Sequence, residues 1–156
     1  MPLVIRVRRA QNDERRLRSR VAEFPRRDFD ARWRPTMLEK ISNLPDNALG
    51  FTATGTVTAR DYESVIMPAV EALFSHHKKV RFLYHLGKDF TGFEVAAMWD
   101  DAKLGLKHFA GWERIAVVSD VEWIRVTIRV FGLAMPGQVR VFREHELADA
   151  TRWISE

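Results

Sequence analysis

The run Ile115-Ala116-Val117-Val118, set between Arg114 and Ser119, constrains the fold of this chain more than any other feature. A strand with one wet face alternates apolar and polar side chains, and this run does not. It fits a strand covered on both faces, as in a mostly parallel sheet with helices packed on it. The flanking segments supply those helices and the neighbouring strands.

Leu38 to Ile41 reads as a short strand, followed by a turn at Leu44-Pro45-Asp46-Asn47. Ala48 to Thr56 reads as a second strand, with Leu49, Phe51 and Ala53 alternating against Gly50, Thr52 and Thr54. The Pro-Asp-Asn turn between them predicts an antiparallel hairpin. Thr58 and Asp61 have the spacing of a capping box, opening a helix on which Tyr62, Val65, Ile66, Ala69, Val70 and Leu73 share a face. Pro68 should kink that helix, and Lys78 and Lys79 should close it.

Val80 to Leu86 reads as the next strand and Gly87 to Gly92 as a loop. A second helix is expected over Phe93 to Phe109, and a strand over Arg114 to Ser119. Ser119 and Glu122 suggest a second capping box, opening a third helix to about Phe131. Gln138 to Phe142 is the expected last strand and Glu144 to Ile154 the last helix. The order β-β-α-β-α-β-α-β-α predicts an α/β domain whose four to five mostly parallel strands are flanked by about four helices.

Charge separates this domain from what precedes it. Residues 1 to 36 hold 11 arginines and 5 acids, a net of +6, while the remaining 14 cations and 16 acids give −2, together the +4 of the whole chain. The basic leader is expected to be a disordered tail, or a stretch upstream of a true start at Met37. Nucleic acid is an expected partner only through that leader, because the domain itself is mildly acidic. With no cysteine, disulfides and thiolate chemistry are excluded. With no long apolar segment and no secretory signal, a soluble, cytoplasmic protein is the expectation.

Several stretches of the domain are similar to the SpoIIAA-like family of bacterial STAS-related proteins. They are Leu44 to Asn47, Gly50-Phe51, Gly55, Asp89-Phe90-Thr91-Gly92-Phe93 and Met98 to Lys103. Glu113 to Val118, Trp123-Ile124 and Gly132 to Arg140 resemble it as well, so the resemblance covers Met37 to the C-terminus. It implies a sheet of four or five strands with helices around it and no established enzymatic activity. STAS domains generally act as switches for small ligands or protein partners. The branch is similar in shape to CRAL-TRIO lipid carriers, which implies a nonpolar ligand.

In anti-sigma factor antagonists of the STAS type, a loop carries Asp, a phosphorylatable Ser, a small residue and Gly. Here that loop is Asp89-Phe90-Thr91-Gly92, with Phe90 at the phosphoacceptor position and Thr91 one residue late. Thr91 is the one candidate for phosphorylation, although a helix-capping role explains it as well. Phe90, Thr91, Gly92 and Phe93, with Trp99 on the following helix, are the candidate walls of an apolar pocket. The third helix is apolar nearly all round: Trp123, Val126 and Val130 share one face, and Val121, Ile124, Ile128 and Phe131 another. One face should meet the sheet, and the other a ligand, a protein partner or a second copy of the chain. Arg125 and Arg129 read as a solvated edge between them.

The five histidines lack any metal-ligand spacing, and no nucleophile elbow or phosphate loop is present. No catalytic residue, metal or cofactor is therefore expected. The function expected is a non-enzymatic binding module for a nonpolar, lipid-like ligand or a protein partner. The alternative is a regulatory partner-switch protein of the anti-sigma antagonist type.

Overall fold

A computed structural model describes residues 37 to 156; the leader lies outside the described residues. Five strands form one sheet in the order β1-β2-β3-β4-β5. They are β1 (Leu38–Lys40), β2 (Ala48–Val57), β3 (Val80–Phe93), β4 (Trp112–Val118) and β5 (Gln138–Phe142). The hairpin of β1 and β2 is antiparallel, and every later pairing is parallel.

Helix α1 runs through Ala59–Asp61, a π-helical segment Tyr62–Ile66 and Met67–His76. Helix α2 is Val95–Lys107, α3 is Glu122–Gly132 and α4 is Leu147–Ser155. The three crossovers all step in one direction along the sheet. Crossovers of one hand that step one way place their helices on one face. Accordingly Tyr62, Ile66, Val70, Ala97, Leu104 and Ile124 of α1 to α3 share a core with Phe51, Phe82, Tyr84 and Val117. Helix α4 covers the opposite face, where Ala150, Trp153 and Ile154 pack on Leu83, Ala116 and Val118. The apolar run of β4 is thus buried from both sides.

Thr58 and Asp61 form the expected capping box, each side chain bonding the other's backbone N–H. Pro68 acts through the turn before it. Met67 N–H donates to the carbonyl of Tyr62, five residues back, so the helix widens where the proline ring would crowd a carbonyl. Lys78 and Lys79 lie past the end of the helix at His76, and Lys79 Nζ donates to the Ala110 carbonyl at 2.7 Å.

The structure corrects three local expectations. Gly87 to Gly92 is not a loop, because β3 runs on to Phe93 and pairs Phe90, Gly92 and Phe93 with Gly55, Thr56 and Val57. The register shifts on both sides of Gly55, whose φ of 62° is left-handed and suits glycine. Ser119 does not cap α3 in a box; its hydroxyl accepts from Val121 N–H at 3.1 Å, and α3 has no side-chain cap. Arg125 is no solvated edge. It is 4% exposed, and its Nη1 donates to the carbonyls of Ser119 at 3.0 Å and Phe142 at 3.1 Å. It ties the ends of β4 and β5 to α3.

On the α4 face, Arg81 and Arg114 donate to the carbonyls of Ile154 and Trp153, the negative end of that helix. Arg81 also donates to Glu113 at 2.7 Å, and this hydrogen bond holds the Glu113 carboxyl below the usual range.

Two predictions follow from these contacts. Arg125→Met should lower the unfolding free energy by about 2 kcal/mol in urea titration, because buried carbonyls lose a charged donor. A loss under about 0.5 kcal/mol, the size of an ordinary surface substitution, would contradict that role. Glu113→Gln should cost less than about 1 kcal/mol at neutral pH, since the pair is partly exposed. A carboxyl whose folded pKa is depressed stabilises above the ordinary range and stops doing so as pH falls through its folded value. Wild type and variant should therefore begin to converge as pH falls below about 4, the ordinary carboxylate value, and meet only below the lower folded value. A gap that stays constant on acidification would show that the ion pair is not its source.

Candidate functional site

The apolar layer between the sheet and α1 to α3 contains a cavity of about 80 Å³. Tyr62, Ile66 and Val70 line it from α1, spaced so that all three point inward past the π-helical turn. Phe82 and Tyr84 of β3 and Trp112, Ile115 and Val117 of β4 form its floor. Leu104 and Gly105 of α2 and Ile128 and Phe131 of α3 close it, with Met135 and Val139 at the end. Close-packed interiors leave few voids larger than a water molecule, so a space of this size is a feature of the fold.

The cavity reaches the surface beside Phe131, which lines it and is also 45% exposed. Gly105, in the last turn of α2, also lines the cavity, and a β-carbon there would meet nothing within 4 Å among the described residues. Among the described residues, no carboxylate, lysine, arginine or histidine lines the cavity; the polar groups there are two phenols and an indole. Among the described residues, the buried Trp112 indole N–H has no hydrogen-bond partner. Its ring stands edge-on to Phe74 at 5.0 Å between centroids and near Phe82 at 6.1 Å.

The residues expected to form the pocket are placed differently. Phe90 is not an aromatic exposed in a loop. It is buried in the core, with its ring 4.9 Å from that of Phe93. Phe93 in turn lies 5.9 Å from Tyr84, so this pair stands behind the cavity wall and does not line it. Thr91 is exposed, and its hydroxyl sits 2.8 Å from that of Thr56 on β2. It does not cap α2, whose N-cap is Glu94. Gly92 has a positive φ of 153°, which L side chains rarely adopt, and a β-carbon there would meet nothing within 4 Å among the described residues. The side chain of Trp99 lies outside the described residues.

Helix α3 divides as its sequence implies. Ile124 is buried and Ile128 packs on the core, whereas Trp123, Val126 and Val130 are exposed at 54%, 49% and 64%. Leu133, just past the helix, and Leu106, at the end of α2, are exposed as well, at 89% and 73%. An apolar patch rimmed by polar residues marks a contact surface more often than a single exposed side chain does.

Two polar clusters lie elsewhere. His85 is buried on the α4 face, its Nε2–H donating to Glu144 at 2.9 Å and its Nδ1 lying 3.2 Å from the Thr52 hydroxyl. Glu144 N–H also donates to Asp120, so this cluster clamps the turn after β5. At the ends of α1 and α2, Lys107 and His108 donate to Glu71, which holds its carboxyl below the usual range. Among the described residues, no three or more His, Asp or Glu are grouped to hold a metal ion.

Sequence reasoning missed Trp112, Tyr62, Tyr84 and Gly105 as wall residues. Only Gly105 carried a signal, as a glycine inside an otherwise helical pattern, where it costs stability. Gly105→Ala should raise the unfolding free energy by roughly 0.5–1 kcal/mol, because the new methyl meets open space and the helix gains propensity. A destabilised variant in thermal or urea unfolding would show that the space beside Gly105 is filled.

Comparisons with known proteins agree with this architecture. The SpoIIAA-like family profile matches residues 48–155. The fold is similar to the crystal structure of an uncharacterised protein of the DUF3478 family with a SpoIIAA-like fold from Shewanella loihica PV-4. The two are 28% identical, with a TM-score of 0.62, covering 75% of this chain and 91% of that one. No curated protein matches. Family profile, strand order and helix placement agree: the chain belongs to the SpoIIAA-like family and carries a STAS-type domain.

Proposed function

We propose that this protein is a non-enzymatic binding module whose ligand is a nonpolar, lipid-like small molecule. The observation that carries this reading is the cavity under α1 to α3, lined by apolar and aromatic side chains and open beside Phe131. Ligand sites of this kind are concave, mostly apolar and provided with a few placed polar groups. Absence of catalysis is part of the proposal. It is supported by a lining that, among the described residues, holds no acid–base pair and no nucleophile other than the two phenols.

Size narrows the occupant. The cavity is about 80 Å³, against about 150 Å³ for an engineered protein cavity that takes up benzene. It fits a small group or the end of a longer chain. The rest of such a chain would lie on the surface near Phe131 and Leu106, where exposed apolar side chains already stand. The exposed face of α3 also supports the protein-partner half of the reading. The partner-switch alternative rests on Thr91, which sits near the end of β3 with its hydroxyl 2.8 Å from that of Thr56, three residues before the Glu94 N-cap of α2.

The test is thermal unfolding of the purified protein with increasing palmitic acid, alongside native mass spectrometry for lipid carried through purification. A ligand that binds only the folded state raises Tm with concentration, by about 2.7 kcal/mol of added stability at a hundred times Kd. Spectra without bound lipid, together with an unmoved Tm across a panel of apolar compounds, would rule the reading out.

A further inference from the structure

We propose that Phe131 is the gate of the cavity: its ring swings aside to let a ligand pass, while the helix that carries it stays in place. This inference rests on the binding reading above and assigns the step that limits entry and exit. Tyr62, Ile66 and Val70 of α1 and Phe82, Tyr84 and Trp112 of the sheet are buried, so they close the cavity from within. Of the described lining residues Phe131 is the most exposed, at 45%. Part of its side chain bounds the cavity and part meets water. Displacing that side chain therefore joins the two.

The helices around Phe131 leave closure to side chains. Among the described residues, α2 packs on α1 and α3 packs on β5, while α2 and α3 hardly touch each other. The ring itself has few ties. Among the described residues it pairs with no other aromatic ring, whereas Phe82, Tyr84 and Trp112 in the same lining stand against neighbouring rings. Exposed side chains of this kind change rotamer within picoseconds to nanoseconds, far faster than packed helices shift.

The backbone beneath the ring is held. Gly132 lies so close to β5 that a β-carbon on it would stand 2.9 Å from the Val139 β-carbon. Arg125, nearer the start of α3, is buried and donates to the carbonyls of Ser119 and Phe142. The N–H groups of Leu133 and Ala134 donate to the carbonyls of Val130 and Phe131, so the chain stays wound just past the helix. With α3 anchored toward both ends, rotation of the Phe131 ring is the smaller movement that opens the cavity.

The test is stopped-flow mixing with cis-parinaric acid, a linear polyene fatty acid whose fluorescence rises in apolar surroundings, followed by displacement with excess palmitic acid. In Phe131→Ala the association and dissociation rates should both rise, by about threefold to tenfold, the factor that leaving a rotamer well costs a rate. Phe131→Trp, with a larger ring in the same place, should lower both. Phe131→Leu keeps most of the apolar packing and should fall between Phe131→Ala and wild type, so a folding defect in the alanine variant leaves the comparison intact. A residue that is only part of the wall behaves otherwise: its loss speeds dissociation and leaves association unchanged. Equal association rates in wild type, Phe131→Leu and Phe131→Trp overturn the gate, and the binding reading stands. If neither wild type nor Phe131→Leu binds the probe, the binding reading fails and the gate falls with it.

Discussion

The pairing of β2 with β3 is the contact on which the rest of the domain depends. It runs from Ala48 opposite Arg81 to Val57 opposite Phe93, the longest ladder in the sheet. At its far end Val57 leads into the capping box of α1, and its carbonyl accepts from Glu94 N–H at the start of α2. The ladder therefore fixes where both helices begin. From there α1 and α2 run back over the sheet, and the distance between them decides how much space remains over Phe82, Tyr84 and Trp112. A shift in this register would move both helix starts and reshape the cavity before any lining residue changed.

Much of this was legible in the chain. The unbroken apolar run of β4 implied burial on both faces, and the two sides of α3 were separable by spacing alone. These signals are local, since each depends on residues within a few positions of one another. The Gly87 to Gly92 stretch misled for the same reason. Gly, Asp and Thr there have the composition of a loop, but a partner strand some 35 positions earlier supplies the hydrogen bonds that hold it extended. Arg125 misled likewise, because a lone arginine among apolar residues reads as solvated until the two carbonyls it serves come together. The cavity had no sequence signature at all. Its walls come from all three covering helices and from three strands, and a void is defined by what those side chains fail to fill.

The two faces of the sheet are stabilised by different physics. Against α4, the packing is tight and backed by charge. Arg81 and Arg114 bond the end of the helix, and Arg140 and Arg114 lie over the Trp153 ring at 4.8 and 5.4 Å. Against α1 to α3 the contacts are mostly apolar, Arg125 of α3 and its two carbonyl partners apart, and packing is incomplete around the cavity. Directional bonds fix one side firmly and leave the other to less specific forces, which tolerate a gap or an occupant. The binding capacity proposed here is confined to the side that can accommodate it.

The π-helical turn of α1 has a consequence for how this chain can vary. A π segment holds one residue more than the α-helical turn it interrupts, so it behaves as a single-residue insertion absorbed without breaking the helix. Forcing regular α-helical winding on all of Tyr62–Ile66 would rotate everything after it by about 100°, and Val70, now in the cavity wall, would turn away from it. Removing one residue from the segment would instead restore regular winding with Val70 still facing the cavity. The segment therefore tolerates a one-residue change of length without repacking the site, and relatives lacking the extra residue would line the same space with equivalent positions of α1.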